Sequence, residues 1–319
     1  SLSMLDDIFY KDEMQVRFAV NHIINPLGRF VNSAHPLVDA HLPDGSRVHV
    51  VIPPVAQEGS CITIRRFLKD KLTTDDLIKL GAISETMADF LSVCVAARLN
   101  IVVAGNTSSG KTTLLNILAG SISNNERIIT IEESVEVQLN QIHKISLEAR
   151  PPDHKGEGEV VIRDLVRASL RMRPDRIIVG EVRGRETMDM LQAMNTGHSG
   201  SMTTIHANSP RDTLARLETT SLMDELDLPI SAIRKQISSA IDLIVYLTRF
   251  PDGTRKVTQV TEVVGMEGDI ITTSDIFIFN QTGVDEDGRP VGMTRPTGLR
   301  PMFAPKLEAR GYKLGALFK

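Results

Sequence analysis

The chain has 319 residues, of which 41% are hydrophobic and 24% are charged, and its formal net charge is −4. This composition is typical of a folded globular protein, and the length predicts two domains because one core seldom grows past about 250–300 residues. The slight negative charge gives no general attraction to nucleic acid, although it leaves a local basic channel open.

The two cysteines, Cys61 and Cys94, stand alone in the sequence. They form neither a disulfide framework nor a Cys-x-x-Cys metal motif, which predicts a cytoplasmic protein without a zinc site. No apolar run approaches the roughly 18 residues of a membrane-spanning helix, and no signal peptide is predicted.

Residues 4–75 are predicted to form a small α+β domain, in which a Pro43-Asp44-Gly45 turn separates two alternating apolar segments. The predicted elements are a helix at residues 15–24 and strands at residues 37–42, 46–52 and 62–67. This domain contains four arginines of interest, namely Arg29, Arg47, Arg65 and Arg66. A guanidinium supplied by a second domain or subunit can stabilise charge in phosphoryl transfer, but by position alone Arg47 and Arg65 are better interpreted as solvated strand residues.

Residues 76–254 alternate between apolar strands and helical patterns, which predicts an α/β domain with a parallel sheet. Residues 105–112, Gly-Asn-Thr-Ser-Ser-Gly-Lys-Thr, match G-x-x-x-x-G-K-[ST], the phosphate-binding loop of P-loop NTPases. A strand pattern precedes the loop and a helical pattern follows it, as the motif requires. We therefore predict that ATP is bound by Gly105, Asn106, Thr107, Ser108, Ser109, Gly110, Lys111, Thr112 and Thr113, with the Thr112 hydroxyl on Mg²⁺.

Carboxylates follow two further strands of this domain. Glu181 ends the predicted strand at residues 177–181, at the position of a Walker B carboxylate, which holds Mg²⁺. The alternative is that Glu181 is a strand-end glutamate in a surface ion pair. Glu132 and Glu133 follow a neighbouring strand, where a carboxylate could orient or deprotonate the attacking water. The alternative there is an acidic cluster favoured by a helix dipole.

A histidine ends a third strand. His206 follows residues 201–205 and could donate a hydrogen bond to the γ-phosphate, although a lone histidine is more often a satisfied structural side chain. Residues 255–319 are rich in Gly, Pro and Arg and contain a strand pattern at 275–279, which predicts a small β extension and a terminal helix.

Three segments resemble the type II/type IV secretion ATPase superfamily. Residues 173–184 resemble its Walker B segment, residues 197–208 its His box and residues 130–136 its Asp box. Residues 62–67, 164–167 and 193–198 resemble one branch, the CpaF/TadA-like ATPases of tight-adherence (Tad/Flp) pili. The similarity extends from about residue 26 to 319.

The resemblance implies a RecA-like ATPase domain in a ring hexamer, with ATP between it and the N-terminal domain. It implies that Arg47, Arg65 and Arg66 reach the phosphates, that His206 is functional, that Glu132 activates water and that Glu181 lies on the Mg²⁺ side. The implied work is pilin insertion or removal at the inner membrane, through contact with platform proteins.

The sequence departs from the family pattern at Glu133 and Ser199, where aspartate is usual, and its N-terminal region is either short for the branch or truncated. The four-cysteine zinc module of another branch is absent from the sequence. Two alternatives remain open: a nucleic-acid translocase or helicase on a RecA-like fold, and a nucleotide-binding module without turnover. Zero Trp and only three Tyr argue against the translocase, because base stacking uses aromatic side chains.

Overall fold

A computed structural model describes residues 4–5, 7–66, 72–153, 156–224 and 228–312. The chain divides into two compact units, Ser1–Lys71 and Leu72–Lys319. Phe67, the last residue of the predicted third strand, lies outside the described residues. Within the described residues, no helix is both long and apolar enough to cross a membrane.

The first unit contains one main helix and a three-stranded antiparallel sheet. Its elements are α1 (Glu13–Ile24), β1 (Leu37–His41), β2 (Arg47–Val51) and β3 (Cys61–Arg65), in the sheet order β1-β2-β3. The Asp12 side chain accepts a hydrogen bond from the Gln15 N–H at 2.9 Å and caps the start of α1. Val48 and Val50 alternate inward from β2 and pack with Val20 and Ile24 of the helix. The predicted small antiparallel N-terminal sheet is confirmed.

The second unit is an α/β structure. Its helices are α2 (Thr74–Lys79), α3 (Glu85–Ala96), α4 (Lys111–Gly120), α5 (Ile162–Ser169), α6 (Glu186–Asn195), α7 (Pro210–Leu222), α8 (Ile230–Ala240) and α9 (Ala304–Glu308). Its strands are β4 (Ile101–Gly105), β5 (Ile128–Glu132), β6 (Lys144–Glu148), β7 (Arg176–Val179), β8 (Met202–His206), β9 (Leu243–Arg249), β10 (Arg255–Glu267), β11 (Ile270–Val284) and β12 (Pro290–Pro296).

All nine of these strands form one sheet, in the order β12-β11-β10-β9-β4-β8-β7-β5-β6. Strands β4 to β9 pair in parallel, whereas β10, β11 and β12 add antiparallel strands beyond β9. The predicted mostly parallel sheet is therefore confirmed. Strands β10–β12, which lie in the predicted C-terminal extension, continue this same sheet.

Helices cover both faces of the sheet, which explains why its inner strands are continuously apolar. Successive side chains of β4 point to opposite faces: Ile101 and Val103 pack with α3 and α4, and Val102 and Ala104 pack with α5–α8. Because β4, β8, β7 and β5 are adjacent and parallel, their carboxyl ends lie along one edge. This edge brings the phosphate loop and the predicted acidic and histidine residues together.

Candidate functional site

The phosphate loop connects the end of β4 to the start of α4, and glycine is required at both of its ends. A Cβ on Gly105 would lie 2.5 Å from the Leu247 carbonyl oxygen and 2.6 Å from Ser109 Oγ, so no larger residue fits there. Gly110 has φ +98° and is the N-cap of α4, without a side-chain cap among the described residues. The first N–H groups of a helix have no partners within the helix, and a helix start of this kind favours an anionic ligand.

Lys111 lies inside this loop. Its Nζ donates to the carbonyl oxygens of Gly105 at 3.1 Å and Asn106 at 3.2 Å, and the residue is only 7% exposed. Of the other predicted binding residues, Asn106 and Thr107 are exposed, whereas Thr112 and Thr113 in the first turn of α4 are half-buried. The loop thus forms a cradle with an ammonium group at its centre.

His206 connects this ammonium group to the Glu181 carboxylate, the predicted Walker B residue. Its Nδ1 lies 3.3 Å from Lys111 Nζ, and its Nε2 lies 2.9 Å from Glu181 Oε1. Because an ammonium group only donates and a carboxylate only accepts, these contacts select the neutral ring with its proton on Nε2. Burial lowers the pKa of His206; the Glu181 carboxylate opposes this effect, and the Lys111 cation adds to it.

Arg183 extends this chain of contacts to a second carboxylate, and the sequence argument did not single it out. Its Nε donates to Glu181 Oε2 at 2.9 Å, and its Nη1 donates to Glu133 Oε2 at 3.1 Å. Strands β7 and β5 are neighbours, so Arg183 holds carboxylates from two strand ends together. Its position two residues after Glu181 was the signal that could have identified it.

The two neighbouring glutamates after β5 have different environments. Glu132 is 3% exposed, and its Oε2 accepts the backbone N–H groups of Glu136 and Val137, each at 2.9 Å. A Cβ on Gly180 would lie 2.9 Å from Glu132 Cγ, which shows how closely this side chain packs against the end of β7. The Glu133 side chain is 54% exposed and is therefore the one of the two that water reaches freely.

The predicted arginines lie in the first unit. Arg47 of β2 and Arg65 of β3 are directly opposite each other in the antiparallel register, and Arg66 follows at the end of β3. Their contribution to the nucleotide site stays a prediction.

No cluster of three His, Cys, Asp or Glu side chains that could hold a metal is present among the described residues. Thr112 and Glu181 instead offer one hydroxyl and one carboxylate, a hard oxygen donor set of the kind that Mg²⁺ accepts when substrate phosphates supply further ligands. The donor chemistry therefore fits a metal that arrives with a nucleotide.

Comparison with known proteins relates this chain to proteins of secretion and conjugal transfer systems. Residues 5–292 match a family model described as type II/IV secretion system protein. The chain is 38% identical over 270 residues to a putative conjugal transfer protein of Mycobacterium tuberculosis, a match that covers 82% of this chain and 75% of that protein. It is also 38% identical over 239 residues to the type IV secretion system protein PtlH of Bordetella pertussis, covering 67% of this chain and 70% of that protein.

Solved structures with the same fold include a secretion-system ATPase and a pilus motor. The VirB11 ATPase from the Brucella suis type IV secretion system, crystallised with sulphate, aligns with a TM-score of 0.50 and 27% identity, covering 78% of this chain and 83% of that chain. The pilus retraction motor PilT with bound ADP aligns with a TM-score of 0.50 and 25% identity, and the alignment covers 66% of this chain and 57% of that chain.

Proposed function

The chain belongs to the type II/IV secretion system ATPase family, and we propose that it hydrolyses ATP with Mg²⁺ as a ring-shaped motor of a pilus or secretion machine. One observation carries this proposal: Lys111 at the start of α4, His206 at the end of β8 and Glu181 just after β7 form a continuous chain of contacts at the phosphate loop. A histidine and a carboxylate placed beside the phosphate-loop lysine favour hydrolysis over nucleotide binding alone.

The residues of the site divide the work of hydrolysis. The loop N–H groups and Lys111 bind the phosphates, and Thr112 and Glu181 would hold Mg²⁺. When bound, Mg²⁺ neutralises charge on the phosphate oxygens. Of the two glutamates after β5, we assign the orientation of the attacking water to Glu133 because it is exposed to solvent, and we assign to Glu132 the ordering of the segment that follows it.

Three finer features belong to the same proposal. The first is a homohexameric ring in which Arg47, Arg65 and Arg66 reach the phosphates, across a subunit interface. The second is membership of the Tad/Flp branch, which is supported by the sequence segments at residues 62–67, 164–167 and 193–198. The third is attachment to the cytoplasmic side of the inner membrane through platform proteins, a role consistent with relatives named for secretion machines.

Binding of ATP by the full chain, measured by titration calorimetry, tests the site itself. Lys111→Ala is expected to weaken binding by at least about 100-fold, because it removes the buried ammonium group at the centre of the loop. Lys235→Ala is the matched control, since Lys235 is an exposed lysine of α8 and is expected to leave binding unchanged. Equal affinities of wild type and Lys111→Ala would contradict the phosphate-loop assignment.

ATP turnover per chain, measured across a wide range of protein concentrations, tests the ring. Specific activity that rises with concentration supports a site completed by assembly, and a flat profile removes this support from the trans arginines. Adding single-stranded or duplex DNA at physiological salt is expected to leave turnover unchanged. Strong stimulation by DNA would favour the nucleic-acid translocase instead.

A further inference from the structure

An arginine outside the phosphate-loop motif contacts the loop. It lies on β10, the strand that pairs with β9. Arg255, the first residue of β10, donates from Nε to the backbone carbonyl of Ser108 at 2.8 Å. Ser108 is one of three described non-glycine residues with positive φ, at +60°. A non-glycine residue in this conformation carries strain that the surrounding contacts must offset.

The contact fixes a peptide unit that belongs to the nucleotide cradle. In a trans peptide the C=O and the following N–H point in opposite directions. Arg255 holds the Ser108 carbonyl, and the N–H of the same peptide, on Ser109, points the other way and donates to the Asn106 carbonyl at 3.2 Å. That same carbonyl also accepts from Lys111 Nζ.

The hairpin between β9 and β10 keeps Arg255 in this place. Arg249 and Arg255 are opposite each other in the register, and the turn between them closes with the Phe250 N–H on the Thr254 carbonyl at 2.8 Å. A Cβ on Gly110 would lie 3.5 Å from Arg255 Cδ, so the aliphatic stem of the arginine covers the end of the loop.

The charge of Arg255 has no acidic partner within the part of the chain that the structure describes. Its one hydrogen bond there uses Nε, which leaves the terminal amino groups of a five-donor guanidinium for another acceptor. Residues 105–113 contain no carboxylate. An exposed cation beside a phosphate loop, without a neutralising partner, matches an anionic ligand in that loop.

We propose that Arg255 is a positioning residue of the nucleotide site, which orders the Ser108–Ser109 peptide and adds positive charge beside the bound polyphosphate. This inference rests on the proposed ATP site and extends it to a residue about 150 positions beyond the motif. Because Arg255 acts on the loop and on phosphate, its effect is independent of the nucleotide base.

Titration calorimetry of the full chain with ATP and, separately, with inorganic tripolyphosphate tests this role. Arg255→Gln is expected to weaken the binding of both ligands by the same factor of about ten, which corresponds to the loss of one charge-assisted hydrogen bond. Arg249→Gln is the matched control, because it removes the same charge from the same hairpin, and its effect is expected to stay below about twofold. Arg255→Lys keeps a charge and a donor and is expected to recover most of the affinity.

Turnover at saturating ATP separates positioning from a general structural role. Arg255→Gln is expected to raise KM with little change in kcat, and its circular dichroism and melting temperature are expected to match those of wild type. Equal losses for Arg255→Gln and Arg249→Gln, or a loss for ATP but not for tripolyphosphate, would contradict the inference. A wild-type chain that binds neither ligand would contradict the proposed function itself, and this inference with it.

Discussion

Lys111 Nζ and His206 Nδ1 lie 3.3 Å apart although the residues are separated by 95 positions in the sequence. The contact exists because β4 and β8 are adjacent parallel strands whose last residues, Gly105 and His206, are paired in register. The phosphate-loop lysine therefore contacts the strand-end histidine directly. The first prediction concerns the protonation state of His206.

The nucleotide-free protein is expected to titrate His206 with a midpoint below 6.5, its ordinary value, since burial lowers its pKa. Because the folded-state pKa lies below the unfolded one, the stability that the neutral ring contributes is present above pH 6.5 and is lost as the pH falls through the lowered pKa. Imidazole NMR shifts followed against pH measure the midpoint directly.

Two substitutions are expected to move that midpoint in opposite directions. Lys111→Met removes a cation and raises the midpoint, whereas Glu181→Gln removes an anion and lowers it further. A midpoint at or above 6.5 in the wild type, or the reverse order of the two variants, would contradict the chain of contacts through His206.

Glu181→Gln is expected to retain ATP binding but to reduce turnover by at least about 100-fold, because its carboxylate would no longer hold the metal against the phosphates. Calorimetry and a phosphate-release assay measure the two effects separately. Glu218→Gln is the control, since that carboxylate pairs with Arg234 away from the loop. A wild-type rate for Glu181→Gln would remove its assigned role.

Substitutions of the two neighbouring glutamates after β5 are expected to have different effects, one on stability and the other on turnover. Glu132→Ala leaves two backbone N–H groups without their acceptor and is expected to lower the free energy of unfolding by about 2 kcal/mol in urea titrations. Glu133→Gln loses only an exposed ion pair and keeps its stability. Its turnover is expected to fall by about 100-fold, as for loss of a water-orienting group.

Isosteric Glu132→Gln separates these two roles further, because its amide oxygen can still accept both N–H groups. We expect it to retain most of the stability and to affect turnover less than Glu133→Gln does. The opposite order of turnover would transfer the water-orienting role to Glu132.

Arg65→Ala is expected to reduce turnover more than ATP binding, because a guanidinium at the phosphates acts mainly as charge develops. If the arginine is supplied across an interface, mixing Arg65→Ala with the inactive Lys111→Ala variant restores activity in mixed rings. The control mixes Arg65→Ala with the double variant, which has no arginine to supply. Normal turnover by Arg65→Ala alone would show that Arg65 is a structural residue.

A buried ion pair away from the site is expected to matter for stability alone. Arg176 is fully buried, and its Nε and Nη2 each donate to the Glu126 carboxylate at 2.9 Å. Glu126→Ala leaves that charge uncompensated and is expected to cost about 3–5 kcal/mol in urea unfolding. Glu308→Ala breaks an exposed pair with Arg300 and is expected to cost less than about 1 kcal/mol, and equal costs for the two would contradict this account.

Much of the architecture followed from local patterns. The P-loop motif and its flanking periodicities are contained in about twenty consecutive residues, so the loop could be identified without knowledge of the tertiary structure. The strand-end positions of Glu132, Glu181 and His206 followed from apolar runs that each end in a polar side chain. These patterns predicted the α/β class and the secretion ATPase family, which the sheet topology and the family match confirm, whereas the Tad/Flp branch stays a prediction.

The tertiary structure decided which of these side chains touch and which remain exposed. Adjacent acidic residues such as Glu132 and Glu133 look equivalent in a sequence, but one is buried against Gly180 and the other faces water. Arg183 and Arg255 are not recognisable from a sequence motif. The strand order places Arg183 beside Glu133, and the β9–β10 hairpin places Arg255 beside Ser108. A sequence determines which groups end each strand, but only the order and register of the strands determine which of those groups lie within hydrogen-bonding distance.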